Sequence, residues 1–133
     1  MAFQFSTASR NGGLDAIETA AGASPTLEIR TGAVPATCAT ADSGTVLVTM
    51  ALPADWLAAA SGGTKAILGT WQDLSADAAG TAAHFRIKQG ATCHIQGSVT
   101  ATGGGGDMTL DNVSIALAQQ VTVTAFTLTA GGA

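Results

Sequence analysis

The strongest constraint on the fold is the hydrophobic pattern that begins after Pro25. From there on, short runs rich in Thr, Val and Ile are separated by Gly, Asp, Ser or Pro. In Thr26–Arg30, Leu27 and Ile29 share one face and the charged residues share the other, which is the two-residue period of a strand. About seven or eight such runs predict an all-β domain of the β-sandwich or jelly-roll type, with the chain 1–133 as a single domain.

The segment before Pro25 has a helical pattern instead. Its apolar residues recur on one face at helical spacing: Leu14, Ile17 and Ala21. We expect one short N-terminal helix over about residues 8–21, with Gly22 ending it. On this helix Asp15 and Glu18 point away from the apolar face. Gly12 and Gly13 weaken its first half.

The clearest strand pair is a hairpin of residues 81–89 and 92–102 around Gly90. In its first strand one face is apolar and the other carries the basic side chains His84, Arg86 and Lys88. Residues 108–110 predict a further short strand.

Four other segments carry separate predictions. Residues 34–43 are expected to form a loop, and residues 54–60 one or two helical turns. Residues 64–72 and 120–129 are each expected to form one strand, the second with a one-residue slip that suggests a bulge.

Charge is scarce in this chain. Charged residues make up 11% of the sequence, against roughly 25% in typical soluble domains. The outward strand positions therefore carry Thr, Ser and Gln, whereas exposed strand edges are normally protected by charge, above all by lysine. We expect other subunits to cover part of this surface, in a homo-oligomer that is a dimer or a trimer.

The sign of the charge excludes some partners. A net charge of −4 gives no cluster of cations to neutralise phosphates, so we expect no nucleic-acid binding. The sequence has no apolar run long enough for a membrane span, and its first residues do not resemble a secretory signal. We therefore expect no membrane partner and synthesis in the cytoplasm.

The two cysteines, Cys38 and Cys93, match no metal-binding or redox spacing. We expect two small buried or half-buried thiols. A single disulfide is the alternative if the protein meets an oxidising medium.

No residue pattern indicates catalysis, a metal or a cofactor, so we expect a protein that is not an enzyme. Asp73 and Asp77 are interpreted as turn aspartates, with a carboxylate pair of a cell-wall hydrolase as the weaker alternative. His84 and His94 could lie opposite each other across the hairpin, which leaves a two-histidine site open beside the simpler interpretation of surface or interface histidines.

Four aromatic side chains are candidates for a subunit interface: Phe3, Phe5, Trp56 and Trp71. The two tryptophans are expected first as core anchors and second as interface residues. Phe3 and Phe5 form an apolar N-terminal arm that either joins the core or clasps a neighbouring subunit.

Several motifs together carry a family resemblance: LDAIET, LEIRTG, GTWQD, HFRIK and TCHIQG. With the segments around them, they resemble small virion-associated proteins of tailed bacteriophages and prophages. This resemblance implies a structural component of the particle, and no catalytic residue can be carried over from it.

The resemblance and the neutral surface together predict a capsid decoration or cement protein, made in the host cytoplasm and located on the capsid surface of the virion. Its partners would be the major capsid protein and copies of itself. The alternative is a tail-tip or head-fibre module that binds a host glycan or protein.

Overall fold

The computed structural model describes residues 3–133, which form one helix and eleven strands. Their bounds are α1 Thr7–Ala21, β1 Thr26–Arg30, β2 Val46–Ala51, β3 Thr64–Ala66, β4 Trp71–Asp73, β5 Gly80–Thr81, β6 His84–Gln89, β7 Thr92–Ala101, β8 Met108–Leu110, β9 Ser114–Ile115, β10 Val121–Val123 and β11 Thr127–Thr129. The predicted all-β fold with one N-terminal helix is confirmed.

The largest sheet has five strands in the order β2-β1-β6-β7-β8. All its neighbours are antiparallel except β7 and β8, and the predicted hairpin around Gly90 forms its centre as β6 and β7. The remaining strands pair as β10-β4, β11-β3 and β5-β9. The finer description as a sandwich or jelly roll stays a prediction.

Helix α1 begins and ends where local sequence signals place its caps. The Ser6 side chain accepts a hydrogen bond from the N–H of Ser9, and Gly22 ends the helix with a φ of 82°. Leu14 and Ala21 are buried as expected, but Ile17 is 38% exposed. Asp15 and Glu18 both contact a buried lysine of β3, while the Asp15 side chain remains 52% exposed.

The predicted helical turns at residues 54–60 do not form. The backbone N–H of Leu57 donates to the Glu18 carboxylate, and that of Ala60 donates to Asp15. In a helix, these two N–H groups would donate to backbone carbonyls of the same segment. Here they donate to Glu18 and Asp15 of α1 instead, so the segment lies beside α1 without helical turns.

The two long strands predicted at residues 64–72 and 120–129 are each broken in two. β10 pairs with β4, and β11 pairs with β3. Val123 pairs with Trp71, and the next paired residues are Thr127 and Ala66. Thr127 lies four positions from Val123, whereas Ala66 lies five positions from Trp71. The apolar side shifts by one residue as predicted, from Val121 and Val123 to Phe126, which turns into the core. The suggested bulge does not form, because residues 124–126 leave the strand.

A glycine turn lets β8 lie parallel to β7 after only a short connection. Gly103 and Gly105 have φ values of 88° and 81°. The N–H of Gly106 donates to the Thr100 hydroxyl, and a Cβ on Gly104 or Gly106 would lie under 3.0 Å from Thr100. The backbone therefore packs against Thr100 at a distance that only glycine allows.

The buried apolar residues form one continuous core, to which all the main strands contribute. An aromatic row runs through it, with ring centroids 6.0 Å apart from Trp56 to Trp71, 6.0 Å from Trp71 to Phe126 and 5.3 Å from Phe126 to Phe85. The row ends at β6, in the middle of the large sheet.

Glycine-to-alanine changes in the helix and in β7 should act in opposite directions. A Cβ on Gly12 or Gly13 of α1 meets nothing within 4 Å. G12A and G13A should therefore each stabilise the folded protein by about 0.5–1 kcal/mol, because alanine favours the helix over the unfolded chain. A Cβ on Gly97 would lie 2.8 Å from Phe85 and from the Asp107 carboxylate, so G97A should cost about 1–3 kcal/mol. Urea unfolding of the three variants measures both effects, and a neutral G97A would contradict this packing.

Candidate functional site

None of the lysine and arginine side chains of this chain is fully exposed. Arg30, Lys65, Arg86 and Lys88 are buried, and Arg10 is half-buried. These are all five basic residues of the sequence. The exposed charges are therefore carboxylates, and the rest of the surface is uncharged.

Three of these cations lie together on one face of β1 and β6, beneath the loop of residues 31–45. Asp42 of the loop pairs with Lys88 at 2.6 Å, with Arg86 at 2.8 Å and with Arg30 at 3.4 Å. Glu28 adds a second carboxylate, 2.9 Å from Arg30. We call these five side chains the Asp42 cluster.

The loop also satisfies the cluster with backbone carbonyls. Arg86 donates to the carbonyl oxygen of Thr37 at 3.0 Å and to the Gln96 side chain at 3.1 Å. Gln96 in turn donates to the carbonyl oxygen of Pro35 at 2.8 Å. Buried charges are tolerated only with partners of this kind, so the loop is required by the sheet face that it covers.

A disulfide between Cys38 and Cys93 fastens the same loop to β7. The expectation of two free thiols is therefore wrong. A separation of 55 residues gave no local signal for pairing, and the two cysteines meet only because the loop folds back over the sheet. The redox state of this bond controls one of the attachments of the loop.

The ion pairs set the protonation of Asp42. The hydrogen bond from Lys88 and the nearby Arg86 hold the pKa of the Asp42 carboxyl below its usual range, against the opposing effect of burial. Asp42 therefore stays ionised down to lower pH than a free aspartate, and together with Glu28 it offsets two of the three positive charges of the cluster.

A second buried charge joins α1 to β3. Lys65 is 1% exposed and lies 2.6 Å from Asp15 and 3.0 Å from Glu18. Burial alone lowers the pKa of Lys65, but its hydrogen bonds to the two carboxylates outweigh burial and raise that pKa. The bond from Lys65 lowers the pKa of Asp15. The ammonium group is thus a fixed charged contact between the helix and the sheet.

The residues considered for catalysis or metal binding are engaged in structural contacts. His84 is buried and bonds to the carbonyl oxygen of Gly32 through Nδ1. It lies opposite Ser98 on the hairpin and not opposite His94. The considered two-histidine site is therefore a wrong prediction. Residues 3–133 contain no group of three or more His, Cys, Asp or Glu placed to hold a metal ion.

The two loop carboxylates hold their loop against β2. Asp73 accepts hydrogen bonds from the N–H groups of Ser75 and Thr49, and Asp77 accepts one from the Thr49 hydroxyl at 2.6 Å. The bond to Ser75, two residues on, is that of a turn aspartate, as predicted for Asp73.

The four aromatic interface candidates separate into two groups. Trp56 and Trp71 are 0% and 1% exposed, and their indole N–H groups donate to the carbonyl oxygens of Gly22 and Trp56. They are core anchors with no surface for a partner, which corrects the interface role considered for them. Phe3 and Phe5 are 63% and 49% exposed.

The arm of residues 3–5 lies beside the end of the chain. The N–H of Phe5 donates to the carbonyl oxygen of Gly132, and the Phe3 and Phe5 rings pack edge to face with centroids 5.5 Å apart. A groove of about 390 Å³ opens next to the arm, with a mainly apolar lining that includes Leu14 and Ile17 of α1. We call this the arm groove.

A second groove, of about 500 Å³, opens between β7 and β11. Phe85 and Phe126 form its floor, and the half-buried Ile95 and Leu128 form its walls. Asp107 lies on its rim. This β7–β11 groove lies above the end of the aromatic row, whose rings Phe85 and Phe126 are themselves only 1% and 6% exposed.

Comparisons with models of protein families, with curated proteins and with solved structures gave no match. The resemblance to phage virion proteins therefore stays a prediction. Among residues 3–133, the structure contains no helix of the length and apolar character needed to cross a membrane.

Sequence reasoning missed the burial of the cations and the β7–β11 groove. No local signal marked the burial of the cations, because Asp42, their main partner, lies 44 and 46 positions from Arg86 and Lys88. No local signal marks the groove, since its walls come from strands that are distant in the sequence.

Asp42→Asn should destabilise the protein by about 2 kcal/mol at pH 7, less than for a fully buried pair because the Asp42 side chain is 32% exposed. The lowered pKa means that the ionised carboxylate stabilises the fold above about pH 4, and that this contribution is lost as the pH falls through the lowered value. The difference between wild type and D42N in free energy of unfolding should therefore shrink towards low pH.

Denaturant unfolding at several pH values measures this difference. The exposed Asp111 provides the control, and D111N should follow the wild-type curve. A D42N variant with wild-type stability at pH 7 would contradict the role of the cluster.

Removal of the disulfide should cost about 2–4 kcal/mol and should loosen the loop of residues 31–45. The double variant C38S/C93S and the reduced wild type should unfold at the same denaturant concentration, and reductant should not affect the variant. Hydrogen exchange should increase in the loop more than in β1 or β6. Equal stability of oxidised and reduced wild type would count against this attachment.

Proposed function

We propose that this chain is a structural protein of a tailed-bacteriophage virion, a capsid decoration protein that binds the assembled head as an oligomer. The observation that carries the proposal is the surface without an exposed lysine or arginine in the described chain, together with the exposed apolar arm. The sequence resemblance supplies the phage context.

The surface favours assembly for an energetic reason. A lysine in an interface loses hydration and side-chain entropy, whereas a threonine or alanine loses little of either, and lysine and glutamate are depleted in interface cores. A chain that keeps its cations inside its own fold presents strand edges and faces that other subunits can cover at low cost.

The disulfide is consistent with a protein that works outside the cell. Disulfides are rare in the reducing cytoplasm and persist in extracellular media. A decoration protein made in the host cytoplasm would therefore form or keep its Cys38–Cys93 bond on the released particle. The bond would then strengthen the subunit where the capsid has to survive.

Decoration stabilises a shell by mass action. Each bound copy favours the closed lattice over the opened one, and many copies bound through interfaces of about 1,000 Å² or more add their contributions. No catalytic role is proposed for Asp73, Asp77 or His84. The two carboxylates accept hydrogen bonds from their own fold, and His84 is buried, with Nδ1 bonded to the carbonyl oxygen of Gly32 and Nε2 without a hydrogen-bond partner.

One observation favours a second candidate function. The exposed Phe3 and Phe5 rings form the kind of aromatic patch that a tail-tip or head-fibre module could use to contact a host glycan or protein. This candidate predicts that the purified protein adsorbs to host cells and blocks infection, which a decoration protein would not do.

Particles that lack the protein should release their genome at a temperature several degrees lower than complete particles, and added purified protein should restore the difference. Dye entry during a thermal ramp measures release. Threonine-to-lysine substitutions at exposed positions locate the contact face: Thr45, Thr81, Thr122 and Thr124. A variant on that face should lose capsid binding without loss of fold stability. Equal release temperatures with and without the protein would refute the decoration role.

A further inference from the structure

Within residues 3–133, Arg10 is the one basic residue without a carboxylate partner. The other four each lie 2.6–2.9 Å from an acidic side chain: Arg30, Lys65, Arg86 and Lys88. The guanidinium of Arg10 has five N–H donors, but its one hydrogen bond in this part of the chain is long, at 3.5 Å from Nη2 to the Thr7 hydroxyl. Its Nε is shielded from solvent and has no hydrogen-bond partner.

Neither the helix nor the packing explains an unpaired cation at this position. Arg10 lies near the beginning of α1, where the helix dipole disfavours positive charge. The guanidinium packs over Gly63, since a Cβ on Gly63 would lie 2.7 Å from its Cζ atom. This contact holds the guanidinium in place, but it supplies no acceptor. Arg10 is therefore a positioned donor without an acceptor, whereas donors shielded from water are normally paired.

Arg10 also lines the arm groove, and it is the only charged residue among the described residues that do so. The rest of the lining is mainly apolar and is open to solvent, because Phe5 is 49% and Ile17 is 38% exposed. Small-molecule sites are typically apolar pockets of roughly 300–1,000 Å³ with a few placed polar groups. The arm groove, at about 390 Å³ with one guanidinium, has this character.

Charge and volume together select the class of ligand. A single guanidinium neutralises a single negative charge, and its planar fork matches the two oxygens of a carboxylate. The net charge of −4 on the chain, with no second cation in the described lining, disfavours polyanions and anionic membrane surfaces. The groove volume is more than twice the ~150 Å³ of a cavity that accepts benzene, so an alkyl chain of roughly eight to ten carbons fits.

We propose that the arm groove binds a medium-chain carboxylate of the fatty-acid type, with the carboxylate on the Arg10 guanidinium and the alkyl chain along Phe5 and Ile17. The ligand supplies the acceptor that Arg10 lacks in the described structure, and its chain covers apolar surface that is exposed in the free protein. This site goes beyond the proposed function and does not depend on it, because its ligand is a small molecule and not a capsid subunit.

Nuclear magnetic resonance titration of the full chain with sodium octanoate, and with octanol as its uncharged counterpart, tests the contact to Arg10. The variant R10M keeps an unbranched side chain and removes the charge. It should raise the dissociation constant of octanoate at least tenfold and that of octanol less than threefold. Equal weakening of the two ligands would show that Arg10 acts through packing alone, which would overturn the carboxylate contact.

Two neighbouring glycines of α1 provide a matched pair that locates the alkyl chain. A Cβ on Gly12 or on Gly13 meets nothing within 4 Å, but only Gly13 lines the arm groove. G13L should fill the groove and weaken octanoate binding at least tenfold, whereas G12L should stay within twofold of wild type. Both variants should remain folded in urea unfolding, because leucine favours a helix more than glycine does. Equal octanoate binding by G12L and G13L would refute this location.

Two further outcomes decide the class of ligand. If wild type shows no saturable binding of octanoate at millimolar concentration, the proposal is overturned. If wild type associates with phosphatidylglycerol vesicles and shows no saturable binding of octanoate, the groove contacts a membrane surface, which also overturns the free-ligand site. Saturable octanoate binding that R10M and G13L lose and G12L keeps supports the proposal, whether or not the protein binds capsids.

Discussion

The buried ion pairs are the constraint on which the rest of this structure depends. The five-stranded sheet carries Arg30, Arg86 and Lys88 on one face, and these charges require Asp42 and the carbonyl groups of the loop above them. Lys65 similarly requires Asp15 and Glu18, which fixes α1 against β3. Ion pairs thus help to hold α1 and the loop of residues 31–45, beside the buried Leu14 and Ala21 of the helix and the disulfide of the loop. Breaking one partner of such a pair leaves a buried charge, which costs far more than an exposed ion pair contributes.

The same pairs determine the character of the surface. Because the cations are used internally, the exterior has threonine, alanine and glycine together with a few carboxylates, and its strand edges lack the lysines that normally prevent association. The exposed arm and the β7–β11 groove lie on this exterior. Interior charge pairing and a surface suited to assembly are therefore two consequences of one distribution of charge.

The sequence predicted the parts of the fold that depend on short-range periodicity. The helix, the hairpin around Gly90, β1 and β8 were predicted from apolar periodicity and turn residues. Residues 54–60 were not, because the acceptors that keep them extended belong to Asp15 and Glu18, some 40 residues away. For the candidate site, Phe3 and Phe5 were identified from the sequence, but the groove between β7 and β11 was not. Its walls come together only when the chain closes.

By itself the sequence determined the all-β class, the single helix, the shortage of charge and the resulting expectation of assembly, because these follow from composition and from contacts between near neighbours. Only the tertiary structure decided where each charge lies, that Cys38 and Cys93 meet, and that the tryptophans belong to the core. The physical reason is the range of the interactions. A two-residue or 3.6-residue period is visible within one segment of the sequence. Asp42 and Lys88, by contrast, are 46 positions apart and meet only in the folded chain.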